Sequence, residues 1–150
     1  WPSRYGGEKK TQHKRDFTAS VLRKHIEKKV KEDDFLIVMG DLNDYPNNNS
    51  VQNILVKESL TNLCLLKEWE NRGSYNWDDK WGFLDQIIVS NNFLNKQSKL
   101  KAIDFDVLSE EWLLYEKKNG VSVPSRTYGR NTWYKGFSDH LPVYFVFSFN

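Results

Sequence analysis

The run Phe35–Met39 constrains the fold of this chain more than any other stretch. All of its residues are apolar, and the run stops at Gly40. A short, continuous apolar run is typical of a strand covered on both faces, since a strand with one wet face alternates apolar and polar residues. The sequence therefore predicts a layered α/β or α+β protein in which Asp41 and Asn43 lie at the C-terminal end of a buried strand.

Composition limits the class of protein. Of 150 residues, 39% are hydrophobic and 15% aromatic, which suffices for one packed domain and excludes a disordered tail. The formal net charge of +2 does not indicate a nucleic-acid binder, so any polyanion must bind at a local patch. The single Cys64 excludes an intrachain disulfide and is predicted to be a small buried residue. Lys9, Lys10, Lys14 and Arg15 are predicted to form a solvated basic face, and no apolar run approaches the roughly 18 residues of a membrane span.

Periodicity indicates the other elements. Helical spacing over residues 13–31 predicts an amphipathic helix, and Ser50 is a candidate N-cap for a second helix. Further helices are predicted at 63–69 and 109–120. The predicted strands are 74–77 paired with 83–89, then 103–107 with one wet face, and 141–149. Residues 124–136 are predicted to be a long loop.

Three segments carry chemistry: residues 40–44 (Gly-Asp-Leu-Asn-Asp), 84–90 (Leu-Asp-Gln-Ile-Ile-Val-Ser) and 138–143 (Ser-Asp-His-Leu-Pro-Val). Asp41 alone is equally consistent with a strand-ending turn residue that hydrogen-bonds its own backbone. His140 alone is equally consistent with a structural histidine. Asp85 differs, because a carboxylate inside an apolar strand needs a partner.

Taken in order, these segments and the opening Trp1-Pro2-Ser3-Arg4 resemble the C-terminal half of the endonuclease/exonuclease/phosphatase (DNase I-like) superfamily. The resemblance implies a four-layer α/β sandwich, of which residues 1–150 are the C-terminal portion of a single domain. This portion would supply about half of the sandwich: one mixed or antiparallel sheet with flanking helices. Family members complete the metal site with a Glu from the N-terminal half, which is missing here. We therefore expect little or no turnover from this chain alone.

The resemblance also implies roles for the residues of the three segments. Asp41 would orient or deprotonate the attacking water, and Asn43 would bond a phosphate oxygen or help to hold the metal. His140 would contact the scissile phosphate, with Asp85 fixing its tautomer. Asp139, Asp41 and Asn43 would be the metal ligands. The expected ion is Mg²⁺, with Mn²⁺ as the alternative, because hard oxygen ligands suit these cations.

Cationic and aromatic residues before the third segment concern the substrate. Arg126, Tyr128, Arg130 and Trp133 form a mixture suited to gripping phosphates and stacking on bases, and Arg4 is a further candidate contact. An ordinary aromatic loop explains the same pattern equally well. The choice between these interpretations stays open on the sequence alone.

The function expected from the resemblance is metal-dependent hydrolysis of phosphodiester bonds in nucleic acid by in-line attack of water. A phosphomonoesterase or a lipid-headgroup phosphodiesterase would use the same motifs. A different class of function is also open. If half of a sandwich leaves a sheet face uncovered, the chain is expected to act as an association module that binds a second copy, or the other half of the domain, through that face.

Overall fold

The computed structural model describes residues 1–129 and 131–149 and confirms a mixed α+β architecture. Helix α1 spans Glu8–Lys29, and a short helix of π geometry spans Ser50–Leu55. The strands are β1 Ile37–Asp41, β2 Leu60–Asn62, β3 Tyr75–Trp77, β4 Lys80–Gly82, β5 Asp85–Ser90, β6 Leu100–Val107, β7 Leu114–Glu116, β8 Ser122–Pro124, β9 Tyr128–Gly129, β10 Thr132–Trp133 and β11 Val143–Phe149. Single turns of 3₁₀ helix lie at Leu63–Leu65, Asn91–Leu94 and Glu111–Leu113.

A three-stranded antiparallel sheet in the order β1-β5-β2 forms the centre. Strand β5 is buried from Gln86 to Ser90, and its first residue, Asp85, is partly buried. The register pairs Asp41 with Asp85. Two carboxylates therefore meet at the same end of neighbouring strands.

The central sheet is covered on both faces, as the apolar run predicted. Ile87 and Val89 face a core that includes Phe105 of the antiparallel β6–β11 ribbon. Ile88 faces the opposite way, into a core that includes Ala19 of α1. The run itself departs from the prediction: the strand lies two residues later, at Ile37–Asp41, its residues are only partly buried, and Met39 is exposed.

Helix α1 begins earlier than predicted and buries a different face. Its buried residues are Thr11, Arg15, Ala19 and Ile26, whereas Phe17 is 71% exposed. The prediction that Arg15 belongs to a solvated basic face is wrong, because Arg15 is fully buried and pairs with a buried carboxylate. Lys9, Lys10 and Lys14 are exposed, as expected.

The helix predicted at 109–120 is wrong. Only Glu111–Leu113 makes a helical turn, after which β7 and β8 form an antiparallel hairpin. Gly120 was the expected helix end but lies in the hairpin turn, with a φ of +80° and its N–H donating to the Lys117 carbonyl at 2.9 Å. The helix predicted at 63–69 is likewise reduced to the turn Leu63–Leu65.

The predicted pairing of 74–77 with 83–89 is also wrong. Strand β3 pairs with β4, through the register Trp77 to Lys80. The connecting residues Asp78 and Asp79 have φ values of 51° and 60°. Positive φ at both central residues is characteristic of a two-residue hairpin turn, and Asp tolerates it. Strand β5 is thereby left free to pair with β1 and β2.

Other expectations hold with smaller differences. Phe105 and Val107 are buried and Asp104 is exposed, but Ile103 is exposed beside a register shift opposite Val146/Phe147. Cys64 is buried as predicted, and burial raises the pKa of its thiol to about 12. In the described part of the chain, no helix is both long and apolar enough to cross a bilayer.

Candidate active site

Three side chains from distant segments meet at one end of the central sheet. Asp41 ends β1, Asp85 begins β5, and His140 lies just before β11. The carboxylate oxygens and an imidazole nitrogen of these residues all lie within 4.8 Å of one another. The three motifs noted in the sequence therefore contribute to a single site.

His140 and Asp85 form a hydrogen-bonded pair. The distance between His140 Nδ1 and Asp85 Oδ2 is 2.6 Å, and the residues are separated by 55 positions. An ionised carboxylate only accepts hydrogen bonds, so Nδ1 carries the proton and donates it. The side chain of His140 is 23% exposed. The pairing thus fixes the tautomer and leaves Nε2 for a substrate.

Backbone contacts position this pair from the β3 side. The Leu141 N–H donates a hydrogen bond to the Ser74 carbonyl at 2.7 Å. The Asp85 N–H donates to the Ser74 hydroxyl oxygen at 3.0 Å. Tyr75 makes an isolated antiparallel bridge to His140, and their ring centroids are 4.7 Å apart. The imidazole is therefore held between a carboxylate and an aromatic ring.

The electrostatics of the site favour the protonated imidazole. Burial acts against the charged form, but the hydrogen bond that His140 donates to Asp85 and the negative charges of Asp85, Asp41 and Asp139 outweigh it, so the pKa of His140 is raised. Tyr75 is affected in the same direction, because burial and then the charge of Asp139 raise the pKa of its hydroxyl.

Asn43 adopts a strained backbone conformation that brings it onto Asp41. Its φ is 50°, in the left-handed region that Asn tolerates better than most residues. Its N–H donates to Asp41 Oδ1 at 2.7 Å, and its Nδ2 donates to Asp41 Oδ2 and to the Trp1 carbonyl, both at 3.1 Å. The hydrogen bond from the Asn43 N–H to Asp41 is the local bond expected of a strand-ending turn. The same turn places Asn43 beside Asp41 in the site.

A buried polar network beneath this turn was not predicted. Asp44 is fully buried and contacts Arg15 Nε at 2.7 Å, Ser50 Oγ at 2.5 Å and Gln12 Nε2 at 3.0 Å. Gln86 Nε2 donates to the Asp44 carbonyl at 2.5 Å. These contacts hold the chain immediately after Asp41 and Asn43 against both α1 and β5.

Two sequence signals point to this network in retrospect. Thr11, Arg15 and Ala19 follow one another at four-residue spacing, which places Arg15 on the face of α1 that carries small buried residues. Gln86 interrupts an otherwise apolar strand next to Asp85, and a polar side chain there requires partners. Asn62 Nδ2 supplies one of them, donating to Gln86 Oε1 at 2.6 Å.

The residues predicted to contact substrate are dispersed. Asp139 and Arg126 line the same cavity beside His140. Tyr128 and Trp133 pair across the two-residue strands β9 and β10, with exposed side chains that do not line this cavity. Arg130 lies outside the described residues.

Arg4 lies on the other side of the Asp41–Asn43 turn. Its guanidinium stacks over the Tyr45 ring at 4.6 Å, and its Nη2 pairs with Glu8 at 2.9 Å. The Tyr45 ring itself packs on Gly82, where a side chain would meet it at 2.6 Å. This predicted contact residue is therefore fixed near the turn rather than free in solvent.

The donor set suits a divalent cation. Asp41 and Asp85 supply carboxylate oxygens, and Asn43 adds an amide beside Asp41, whereas His140 Nδ1 is engaged by Asp85. Mg²⁺ takes one or two carboxylates and keeps several waters, whereas Mn²⁺ also accepts nitrogen. Of the predicted ligands, Asp41 belongs to the cluster of Asp41, Asp85 and His140. Asp139 is exposed and is not a member of that cluster in the described part of the chain.

Comparison with known proteins agrees with this geometry. The model of the endonuclease/exonuclease/phosphatase family matches residues 1–148. No curated protein and no solved structure gives a significant match. Proteins of this superfamily are generally hydrolytic phosphoesterases that depend on a divalent metal. With almost the whole length matched, the chain belongs to the endonuclease/exonuclease/phosphatase family.

Proposed function

We propose that this protein hydrolyses phosphodiester bonds of nucleic acid in a metal-dependent reaction. One observation carries the proposal: Asp41, Asp85 and His140, which are far apart in the sequence, converge within 4.8 Å at the end of a buried strand pair. A carboxylate cluster with a paired histidine supplies the base, the cation site and the charge stabilisation that cleavage of a phosphate ester requires.

The proposed ligands of the ion are Asp41, Asn43 and Asp139, with Mg²⁺ as the first candidate and Mn²⁺ as the second. Asp85 contributes negative charge nearby but is engaged with His140. When bound, the ion would offset the negative charge that develops on the phosphate in the transition state.

Asp41 is the proposed general base. Its carboxylate takes a proton from a water molecule, whose oxygen attacks phosphorus in line with the bond to the leaving oxygen. The bond between phosphorus and that oxygen then breaks with its electron pair, and the leaving oxygen takes up a proton from solvent. The hydrogen bonds from Asn43 to both Asp41 oxygens orient the carboxylate for this step.

His140 is proposed to stabilise charge on the phosphate. Its raised pKa favours the imidazolium form, which donates from Nε2 to a non-bridging phosphate oxygen while Nδ1 remains bonded to Asp85. Fixed donors of this kind are worth more in a partly dry site than in water. Asp85 acts through His140 and is a positioning residue.

Nucleic acid is the preferred substrate because a cation and exposed aromatic rings lie beside the cluster. Arg126 and Tyr134 line the cavity that Asp139 shares, and Tyr128 and Trp133 are exposed close by in sequence. Arginine binds phosphate, and aromatic faces stack on bases. Phosphomonoesters and lipid headgroups are the competing substrates for the same catalytic residues.

The test is to incubate the purified full-length protein with supercoiled plasmid, an apurinic oligonucleotide, an inositol polyphosphate and sphingomyelin, each with Mg²⁺ or EDTA. We expect the wild type to cleave one of the nucleic acids. EDTA should abolish this cleavage, and the Asp41→Asn variant should not carry it out. Cleavage of only the inositol phosphate or the lipid would refute the nucleic-acid assignment. Cleavage of none of the four would refute the phosphoesterase proposal.

A second candidate function is association between copies of the chain. It is favoured by exposed apolar side chains on the β6–β11 ribbon, namely Ile103, Tyr144, Val146 and Phe149. The same ribbon carries Asp104 and Asp106, which pair with Lys67 and Arg72, so the face is mixed. Gel filtration with multi-angle scattering decides the point: a dimer supports association, and a monomer at micromolar concentration contradicts it.

A further inference from the structure

A cavity of about 490 Å³ opens beside the catalytic cluster. Its volume lies within the range of sites for small organic ligands. Two residues of its wall are adjacent in sequence to residues of the site. Asp139 directly precedes His140, and Asn76 directly follows Tyr75, whose ring packs against His140. A group bound here would therefore be attached next to the phosphate at His140.

Asn76 provides an unused hydrogen-bond donor in the wall of this cavity. The residue is 9% exposed, and among the described residues its Nδ2 has no hydrogen-bond partner. Leaving a buried amide unpaired costs stability, so such groups are rare unless a ligand or water satisfies them. Asn76 is thus positioned to donate to a carbonyl or hydroxyl oxygen of a bound molecule.

The charged side chains of the cavity wall are Lys117, Arg126, Asp78 and Asp139. Lys117 and Arg126 both line it, but Lys117 Nζ is engaged by Asp79 Oδ1 at 2.5 Å. Within residues 1–129 and 131–149, Arg126 forms no ion pair, and its Nη1 lies 3.2 Å from the position that a Cβ of Gly129 would take. The guanidinium therefore rests against the Gly129 backbone and remains free for one phosphate.

Three aromatic rings complete the wall. Trp77 is 66% exposed, Tyr115 59% and Tyr134 53%, although each lines a concave surface. They come from three separate segments, β3, β7 and the residue after β10. Rings that stay exposed around a cavity offer stacking faces to a planar ligand, and stacking of this kind is tolerant of base identity.

We infer that the cavity binds one nucleotide unit adjacent to the scissile phosphate. The base stacks on Tyr134, whose ring lies against Gly129 beside the Arg126 guanidinium. Asn76 donates to an oxygen of the base or sugar, and Arg126 pairs with the neighbouring phosphate. One guanidinium beside two wall carboxylates, Asp78 and Asp139, suits a single phosphate and is too little for an inositol polyphosphate. The inference rests on the proposed function and specifies which part of the substrate the protein reads.

The test is an equilibrium binding measurement in EDTA, where no turnover occurs. Binding is monitored by tryptophan fluorescence and by the side-chain amide resonances of Asn76. The probes are thymidine 5′-monophosphate, uridine 5′-monophosphate, ribose 5-phosphate and phosphocholine. We expect at least one nucleotide to bind about fivefold or more tightly than ribose 5-phosphate, since base stacking supplies the difference. The thymidine and uridine arms identify DNA or RNA as the source of the nucleotide.

The variants separate the cavity from the rest of the surface. Tyr134 is exposed, so the variant Tyr134→Leu should fold normally. We expect this variant to reduce the preference for nucleotide over ribose 5-phosphate to less than about twofold. Asn76→Ala is expected to act in the same direction. Tyr144→Leu, on the β11 face, is the matched control and should retain the preference.

Equal affinity for nucleotide and ribose 5-phosphate in the wild type would overturn the inference. So would tighter binding of phosphocholine, or an unchanged preference in Tyr134→Leu. The result is independent of catalysis. A protein that binds nucleotide through Tyr134 but cleaves no nucleic acid refutes the proposed function alone, whereas one that cleaves nucleic acid without the base preference refutes the inference alone.

Discussion

The strand ends that carry the proposed catalytic cluster and the hairpins that surround the cavity are built differently. Asp41 ends β1 and Asp85 begins the buried strand β5 with which β1 pairs, and a fully buried network around Asp44 supports them. The cavity wall consists of strands of two or three residues with exposed aromatic side chains. The first region is rigid by packing and hydrogen bonding, and the second is a set of short connections on the surface.

The difference indicates a division of labour. Side chains that must meet at fixed distances, such as His140 and Asp85 at 2.6 Å, are placed on elements that cannot shift without unfolding the core. Side chains that select a substrate lie on surface connections, where changes cost little stability. Substitutions in the two regions should therefore affect different measurements.

The largest effect is expected from Asp41→Asn. Loss of the proposed base should lower the hydrolysis rate about 10³-fold, within the range for a positioned acid–base group. The thermal unfolding midpoint should change little, because Asp41 is only partly buried. Initial rates measured beside Asp33→Asn, an exposed acid before β1, provide the control. A rate within about threefold of wild type would remove Asp41 from the mechanism.

Arg15→Ala tests the support of the catalytic strands. It leaves Asp44 as an uncompensated buried charge, and breaking such a pair typically costs about 3–5 kcal/mol of unfolding free energy. Arg72→Ala is the matched control. The side chains of Arg72 and Asp106, which form an ion pair, are 43% and 21% exposed, so this pair should be worth about 1 kcal/mol or less. Urea denaturation measures both. Equal losses would contradict the assigned importance of the buried network.

Asp85→Asn should change the titration of His140. In the wild type, the Asp85 hydrogen bond and charge raise the pKa of His140 against the effect of burial. Removing the charge should therefore lower this pKa, as measured by NMR of the imidazole in metal-free protein. His25, exposed on α1, is the internal reference. An unchanged His140 titration would mean that the pair does not persist in solution.

The same shift has a consequence for stability. Because the folded-state pKa of His140 is raised above its ordinary value of 6.5, its stabilising contribution is complete below that pH. The contribution is lost as the pH rises through the folded-state pKa. Unfolding free energies measured across this window should decline in the wild type and decline less in Asp85→Asn.

Trp133→Ala, on the β9–β10 ribbon, should have the smallest effect. The side chain is 63% exposed, so the free energy of unfolding should change by no more than about 0.5 kcal/mol. If the ribbon touches substrate, KM rises while kcat is retained. A loss of stability beyond about 2 kcal/mol would show that this surface ribbon is as structurally important as the strands, and the contrast between surface connections and strand ends would fail.

The clustering of Asp41, Asp85 and His140 could be anticipated because part of its signal is local. An apolar run that ends at Gly40 places Asp41, and a carboxylate inside an apolar strand marks Asp85. Recognition of the family order then links both to His140. The register that sets Asp41 opposite Asp85 needed the fold, since nothing in the sequence specifies which strands pair.

The surroundings could not be predicted by the same reasoning. The helical pattern at 109–120 gave way to the β7–β8 hairpin, because cross-strand pairing of Tyr115 with Val123 outweighed helix propensity. Arg15 was misassigned because a positive charge usually marks a solvated face, and only Asp44, 29 residues away, makes its burial possible. Both errors come from pairing with a partner outside the element itself, which periodicity within one segment does not report.

The most direct test of the central claim compares His140→Ala with His25→Ala on whichever phosphodiester the wild type cleaves with Mg²⁺. Single-turnover rates isolate the chemical step from substrate binding. The convergence of Asp41, Asp85 and His140 predicts a loss of about 10² to 10⁴ for His140→Ala and no change for His25→Ala. A His140→Ala rate equal to that of wild type would contradict the assignment of this cluster as the catalytic site.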